Sequence, residues 1–321
     1  MNIAILGAGT IARKMAQAIK GMQDARLYAV ASRSLDKAQA FAAEFGIPHA
    51  YGSYGDMASD PKVDLVYIAT PHSHHFEHMK LVLEHDKPVL CEKPFTVNAK
   101  QAREIMELAK RRELLVAEAM WTRYLPMRSM LDDVLESKTI GDVQSLTANL
   151  GYEMTQKERL MEPALAGGAL LDVGVYTINF ALMVLGDAIK RIDSSVLFTK
   201  TGVDAQSNTT LVYDKVLALL HSSQMANTDR RGMIYGPKGY IEVQNINNPE
   251  YIRVFDPDHK LLKELKQPQQ INGFEYQVQA CVDAIKAGKT ECPQHPHTAI
   301  LAVMDIMDEL RRQWGLRYPF E

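Results

Sequence analysis

Ile3-Ala4-Ile5-Leu6 runs without a break into Gly7-Ala8-Gly9-Thr10-Ile11-Ala12, and this junction constrains the fold more than any other stretch. Four apolar residues suit a buried strand, the glycines permit a tight turn, and the spacing of apolar residues from Ile11 to Gly21 is helical. A strand, a Gly-rich turn and a helix in that order present backbone N–H groups and a helix N-terminus to a pyrophosphate. Ala12 in the sixth position is an accepted variant. In isolation the pattern is only a Gly-rich strand–helix turn, but here it opens a βαβ unit, the context that dinucleotide binding requires. Gly7, Gly9, Thr10 and Ile11 are therefore expected against a cofactor.

The same alternation continues to about residue 120. Leu27–Ala31, Leu65–Ala69, Pro88–Cys91 and Leu114–Ala117 are short apolar runs. Helical patterns over Leu35–Phe45, Phe76–His85 and Ala99–Arg112 lie between them. Apolar runs without alternation suit parallel strands covered on both faces. The fold class predicted for residues 1–120 is α/β, a Rossmann-type doubly wound parallel sheet.

Beyond residue 120 the pattern changes. Helical stretches at Met127–Ser137 and Val175–Leu185 accompany longer alternating strands over Val143–Tyr152, Ile192–Lys200, Ser207–Tyr213, Val216–Ser222, Arg230–Tyr235 and Tyr251–Phe255. Asp214-Lys215, Gly236-Pro237-Lys238-Gly239 and Asp256-Pro257-Asp258 are turn signals between them. Helices near Phe274–Ala287 and Ala299–Arg312 end the chain. Residues 121–321 are thus expected to form an α+β domain, a large and mainly antiparallel open sheet with helices on one side.

Composition narrows the function. The 321 residues carry 36 Lys and Arg against 39 Asp and Glu, a net charge of -3. Broad binding to nucleic acid or an anionic membrane needs a positive surplus, so neither partner is expected. Cys91, Cys281 and Cys292 are too few and scattered for a disulfide framework or zinc cluster. No run approaching roughly 18 apolar residues is apparent, and no signal peptide is expected before the first strand, so the expected location is cytoplasmic.

Further motifs fall at expected strand ends. Ala31-Ser32-Arg33-Ser34 ends the second strand without the Asp or Glu that accepts bonds from an NAD ribose. A carboxylate repels a 2′-phosphate, whereas Arg pairs with it, so Ser32, Arg33 and Lys37 point to NADP(H) over NAD(H). Thr70-Pro71-His72-Ser73-His74-His75 follows a later strand. His74 and His78 have a metal-like spacing, but no carboxylate completes a site, so no metal is expected and His75 is assigned to the nicotinamide side of the cleft. Cys91-Glu92-Lys93-Pro94-Phe95 places a Lys at a buried strand end, where an ammonium stabilises a nearby alkoxide or phenolate. In the second domain, Gly167-Gly168 precedes Asp172 and Tyr176, which share one face if both are helical. A Tyr hydroxyl beside a cation can serve as a general acid for a carbonyl. An N-capping Asp followed by a core Tyr is the plainer alternative.

Taken together, GAGTIA, the TP-to-His75 loop, Glu92-Lys93-Pro94, Glu118-Ala119-Met120-Trp121-Thr122-Arg123-Tyr124-Leu125-Pro126 and GGALLDVGVY resemble the Gfo/Idh/MocA oxidoreductase family over essentially the whole chain. The closest likeness is to the branch of dimeric dihydrodiol dehydrogenases and NADP-dependent D-xylose 1-dehydrogenases. Many members carry a His where Tyr176 stands. In this branch a Tyr stands there, and the resemblance implies Tyr176 as proton donor and acceptor, Lys93 as the second catalytic residue and Asp172 as a supporting polar group. It also implies that Thr70, Pro71, Glu92, Lys93, Trp121 and Arg123 contact the cofactor. Trp121, Tyr152, Asp172 and Tyr176 are expected to contact a small sugar, polyol or diol. Sheet-to-sheet pairing in a homodimer or higher homo-oligomer is a further expectation. A regulator of the same fold, binding the dinucleotide without catalysis, is the alternative; the presence of both Lys93 and Tyr176 favours the enzyme.

Overall fold

Six parallel strands form the first sheet: β1 (Asn2–Leu6), β2 (Arg26–Ala31), β3 (His49–Tyr51), β4 (Leu65–Ile68), β5 (Val89–Glu92) and β6 (Val116–Ala119). Their spatial order is β3-β2-β1-β4-β5-β6, with the reversal of strand order between β1 and β4. The computed structural model describes residues 1–321 and divides them into two units. The first comprises Met1–Tyr124 and Gln270–Leu301, the second Leu125–Gln269 and Ala302–Glu321.

In the first unit the connecting helices are α1 (Thr10–Lys20), α2 (Leu35–Phe45), α3 (Tyr54–Ala58), α4 (His75–Glu84) and α5 (Ala99–Arg111). Local chemistry starts several of them. The Ser34 hydroxyl accepts from the Lys37 N–H, and the Asn98 side chain accepts from the Gln101 N–H at 2.9 Å. Such caps contribute about 1 kcal/mol each. Ile3, Ile5, Phe41, Tyr67 and Leu90 fill the core between sheet and helices. Burying a side chain the size of Phe41 contributes about 1.5–3 kcal/mol.

The second sheet has eight strands: β7 (Ser145–Gly151), β8 (Arg191–Phe198), β9 (Asp204–Val212), β10 (Leu217–Ser223), β11 (Gly232–Gly236), β12 (Gly239–Val243), β13 (Tyr251–Phe255) and β14 (Leu261–Lys266). Their order is β14-β13-β12-β11-β7-β10-β9-β8, and only the central β7–β10 pair is parallel. The helices of this unit are α6 (Pro126–Glu136), the single turn α7 (Glu158–Met161) and α8 (Val175–Leu185). Strands alternate in burial, and α8 packs on one face against β7 and β10.

Two expectations change here. A division at 120/121 assigns the whole C-terminal part to one domain, but α9 (Glu275–Lys286) returns to the first unit. It packs against α1, and Val278, Cys281 and Val282 complete the same apolar core. The unit boundary then falls inside α10 (His297–Trp314). Secondly, Pro163–Leu185 is long and apolar enough to cross a membrane, with mean hydropathy 1.7, against the expectation that no such segment exists. Within its most apolar window 83% is buried inside the fold, which is the pattern of a core helix. All three cysteines are buried thiols, with the Cys281 and Cys292 sulfurs 3.8 Å apart.

Candidate active site

In the first unit the expected cofactor residues gather at the carboxyl ends of the parallel strands. Gly7 follows β1 with φ +104, and a Cβ there would lie 2.9 Å from the Ala69 carbonyl oxygen that ends β4. Only glycine relieves both the conformation and the contact. Its N–H donates to Ala31 O at 2.9 Å, tying the turn to β2. Gly9 caps α1 with no side chain, nothing lies within 4 Å of where its Cβ would stand, and Thr10 beside it is exposed. An open Gly turn, a helix N-terminus and the β1/β4 reversal of strand order fit a dinucleotide pyrophosphate.

Ser32 is buried at the end of β2, whereas Arg33 and Lys37 are exposed. No carboxylate occupies Ala31–Ser34. The Thr70 hydroxyl lies 2.9 Å from His78 Nδ1, and the His78 ring meets Tyr54 edge-on at 4.8 Å and His74 at 5.7 Å. Burial, joined by His74, His75 and Arg33, pulls His78 down to about 4. No three His, Cys, Asp or Glu side chains stand close enough together to hold a metal ion. His75 departs from its assigned place on the nicotinamide side of the cleft. Its ring is wholly buried, with Nδ1 2.8 Å from Pro94 O and Nε2 2.9 Å from Thr70 O, so it links two loops through their backbones.

The Lys93 turn has a charged and buried surround. Lys93 itself is half-buried, its N–H donates to Glu92 Oε2 at 3.2 Å, and the Lys93–Pro94 peptide that follows is cis. The Tyr67 hydroxyl donates to Glu92 Oε1. Burial pushes the Glu92 carboxyl up to about 7, against the opposing pull of Tyr67 and Lys93. The Phe95 N–H donates to Glu118 Oε1 at 2.8 Å, and His295 Nε2 lies 2.6 Å from Glu118 Oε2. Trp121 stacks on Phe274 with ring centres 4.7 Å apart, a flat apolar surface within the first unit.

In the second unit the Gly167-Gly168 segment leads into a π-helical turn over Leu170–Gly174 that continues as α8. Asp172 and Tyr176 both lie in this stretch and both are buried, Asp172 with 5% exposure. Asp172 does not cap the helix; its Oδ1 accepts from Arg159 Nη2 at 3.2 Å. The capping carboxylate is Asp204, which accepts from the Leu170 N–H at 2.6 Å. Burial raises Asp204 to about 6, while the Leu170 and Ala169 N–H groups and Arg311 oppose the shift. Gly168 has φ +117, and a Cβ there would sit 2.1 Å from Asp204 Oδ1. π-Turns recur at functional sites because they re-aim side chains within a helix. Tyr152, just past β7, accepts a hydrogen bond from Asn247 Nδ2 at 3.3 Å and lies under the Arg230 guanidinium.

Residues 1–120 match the family model described as "Oxidoreductase family, NAD-binding Rossmann fold", and residues 129–242 match the "GFO/IDH/MocA C-terminal domain". A trans-1,2-dihydrobenzene-1,2-diol dehydrogenase of Xenopus tropicalis is 32% identical over 324 residues, covering 98% of each chain. The chain belongs to the Gfo/Idh/MocA oxidoreductase family. It is an NAD(P)-binding enzyme of the dehydrogenase and reductase type. The scyllo-inositol 2-dehydrogenase (NADP(+)) of Bacillus subtilis is 32% identical over 327 residues, covering 99% of this chain and 98% of that one. Among solved structures, a 3-ketoreductase from Actinomadura kijaniata in complex with NADP and TDP-benzene has TM-score 0.89 at 25% identity, with 97% of each chain covered.

Sequence reasoning missed Asp204, Glu118, His295 and Arg159. Glu118 had a signal, since it closes an apolar strand as Lys93 does. Asp204 and Arg159 had none, because their roles arise from contacts 34 and 13 residues away.

Proposed function

We propose that this family member is an NADP(H)-dependent oxidoreductase of a secondary alcohol, sugar hemiacetal or trans-diol, with Tyr176 as proton donor and acceptor and Lys93 as its cationic partner. The observation that carries the reading is the placement of Asp172 on a buried π-turn, held at its start by Asp204, that runs directly into the first turn of α8 with Tyr176. A core tyrosine needs no such turn. The dehydrogenase names of full-length relatives support the same activity class, and the NADP in the related 3-ketoreductase supports the cofactor.

Gly7, Gly9, Thr10, Ile11, Thr70 and Pro71 would hold the dinucleotide, and Ser32, Arg33 and Lys37 its 2′-phosphate end. When bound, the nicotinamide supplies the hydride chemistry. During oxidation the Tyr176 phenolate takes the substrate hydroxyl proton and becomes the phenol, and during reduction the phenol gives that proton to the carbonyl oxygen. The Lys93 ammonium stabilises negative charge developing at oxygen. Asp172, fixed by Arg159, orients the polar side of the substrate. Trp121 and Tyr152 would each offer a ring surface to a sugar or diol, and Arg123 a cation to the cofactor.

The open face of the eight-stranded sheet supports a homodimer. Across the four adjacent strands β11, β7, β10 and β9 its outward residues include Met233, Thr147, Leu219 and Thr210, which stand in register. Asp, Glu, Lys and Arg are absent from the outward positions of these strands and reappear at Asp193 and Glu242 on the flanking ones. An uncharged centre with a charged rim matches a second copy of the same face.

The activity test is nucleotide absorbance with NADPH or NADP+ against sugars, inositols, trans-diols and the corresponding ketones. On the substrate that is turned over, Tyr176→Phe should leave NADPH affinity within threefold while kcat falls about 10²–10⁴-fold. Wild-type kcat in Tyr176→Phe would show that another group moves the proton.

A further inference from the structure

A buried pair outside the residues assigned above reaches the Lys93 turn. Glu118, at the end of β6, is 1% exposed and His295 is fully buried, with Nε2 2.6 Å from Glu118 Oε2. The other carboxylate oxygen accepts the Phe95 N–H at 2.8 Å, two residues beyond Lys93. The Tyr124 hydroxyl donates to the Glu118 backbone oxygen at 3.0 Å, so both ends of this residue are held. His295 belongs to the segment that returns to the first unit. Val116 N–H donates to Thr290 O, and His297 Nε2 lies 2.9 Å from Val116 O, which lays that segment along the edge of β6.

His295 Nδ1 is buried and has no hydrogen-bond partner. The ring proton therefore belongs on Nε2, where it donates to the carboxylate. Burial lowers the pKa of His295, with Arg123 and His297 acting in the same direction. On the other side of Glu118, its charge is felt by Glu92 and His75, which also feel Lys93. An apolar pair of the same volume would stabilise such an interior at least as well, because desolvating a carboxylate costs several kcal/mol, on the order of the attraction it recovers. What the pair supplies that an apolar pair does not is a directed acceptor for one particular amide. That amide fixes the turn carrying Lys93.

We infer that Glu118 and His295 are positioning residues for Lys93: the shared carboxylate anchors the Phe95 amide and thereby sets where the ammonium stands. The inference rests on the catalytic reading of Lys93. Glu118→Gln keeps an oxygen for the Phe95 N–H; His295 meets the new amide only by moving its proton to Nδ1, which leaves a buried N–H without an acceptor and lowers the midpoint of unfolding while the Phe95 anchor stays. Glu118→Ala removes the anchor, and Glu118→Asp keeps the charge but withdraws it from the amide.

The experiment is a double-mutant cycle with Lys93→Met, on the substrate found in the activity panel, at a temperature well below the lowest midpoint of unfolding. In the Lys93 background, Glu118→Gln should stay within threefold of wild type, while Glu118→Ala, His295→Ala and Glu118→Asp should each lower kcat about tenfold or more, with NADPH affinity within threefold. In the Lys93→Met background the same substitutions should add less than twofold. If Glu118→Ala does not fold, Glu118→Asp completes the cycle. Equal losses in both backgrounds, or no loss with Lys93 present, overturn the positioning role while leaving Lys93 catalytic. Wild-type kcat in Lys93→Met overturns the catalytic reading and the positioning role together.

Discussion

At the residue scale, Arg33 and Glu92 carry separate tests. Arg33 stands exposed where an NAD-preferring chain places a carboxylate, so its contact with a 2′-phosphate would be charge-assisted. Arg33→Ala should weaken NADPH binding by about 1.5–3 kcal/mol and leave NADH nearly unchanged, measured by calorimetry at fixed salt. Equal wild-type affinity for the two nucleotides would remove the basis of the NADP preference. Glu92 governs stability against pH. The unfolded chain releases this proton near the ordinary 4.5, whereas burial holds it in the folded chain until about 7. Folded protein thus binds more protons between those values, so the Glu92 contribution is whole below about 4.5 and is lost as pH rises through 7. The loss amounts to about 3 kcal/mol. Glu92→Gln should remove that slope, narrowing the change in denaturation midpoint between pH 5 and pH 8; parallel curves for variant and wild type would count against it.

At the element scale, the π-turn depends on one close packing. Gly168→Ala would bring a Cβ against Asp204 Oδ1 and force a left-handed backbone on a residue with a side chain. It should cost about 2 kcal/mol or more, read as a lower midpoint in urea, and kcat should fall with it because Asp204 can no longer hold the Leu170 N–H. A midpoint unchanged within error would mean that the turn is not so constrained. Legibility followed the physics of each element. Helix α2, with its Ser34 cap, and α8, apolar apart from Thr177, Asn179 and the Tyr176 hydroxyl, stand over Leu35–Phe45 and Val175–Leu185 as their patterns indicate. Strand β14 was hidden, since Leu-Leu-Lys-Glu-Leu-Lys is made of good helix formers and becomes a strand only by pairing with β13. Strand β12 was hidden because it starts at Gly239, inside the turn signal that joins it to β11. Three-residue β3 offers too few positions for any period. Within the candidate site, Lys93, Asp172 and Tyr176 were readable as types at telling positions. The π-turn was not, because it depends on Asp204 from another strand.

At the scale of the whole molecule, the open sheet face decides the assembly. Leu217 and Leu219 on β10 are each 47% exposed, and Leu197 on β8 is 62% exposed. Leu217 and Leu219 lie on the same outward side as Ser145 and Thr147 of β7, their partners in register. Single exposed leucines are ordinary, but leucines in register on a face without charge over four strands are not. Water is excluded from such a face at least cost by a second copy, with the exposed Asp193 left at the solvated edge and Glu242 already paired with Arg231. Light scattering at micromolar concentration should return about twice 36.0 kDa. Leu219→Lys puts a charge into the centre of the face at a side chain that is 47% exposed in the single chain. It should shift the species toward 36.0 kDa while the unfolding of the subunit stays cooperative. A wild-type monomer would leave the uncharged face unexplained, and a dimer indifferent to Leu219→Lys would place the interface elsewhere.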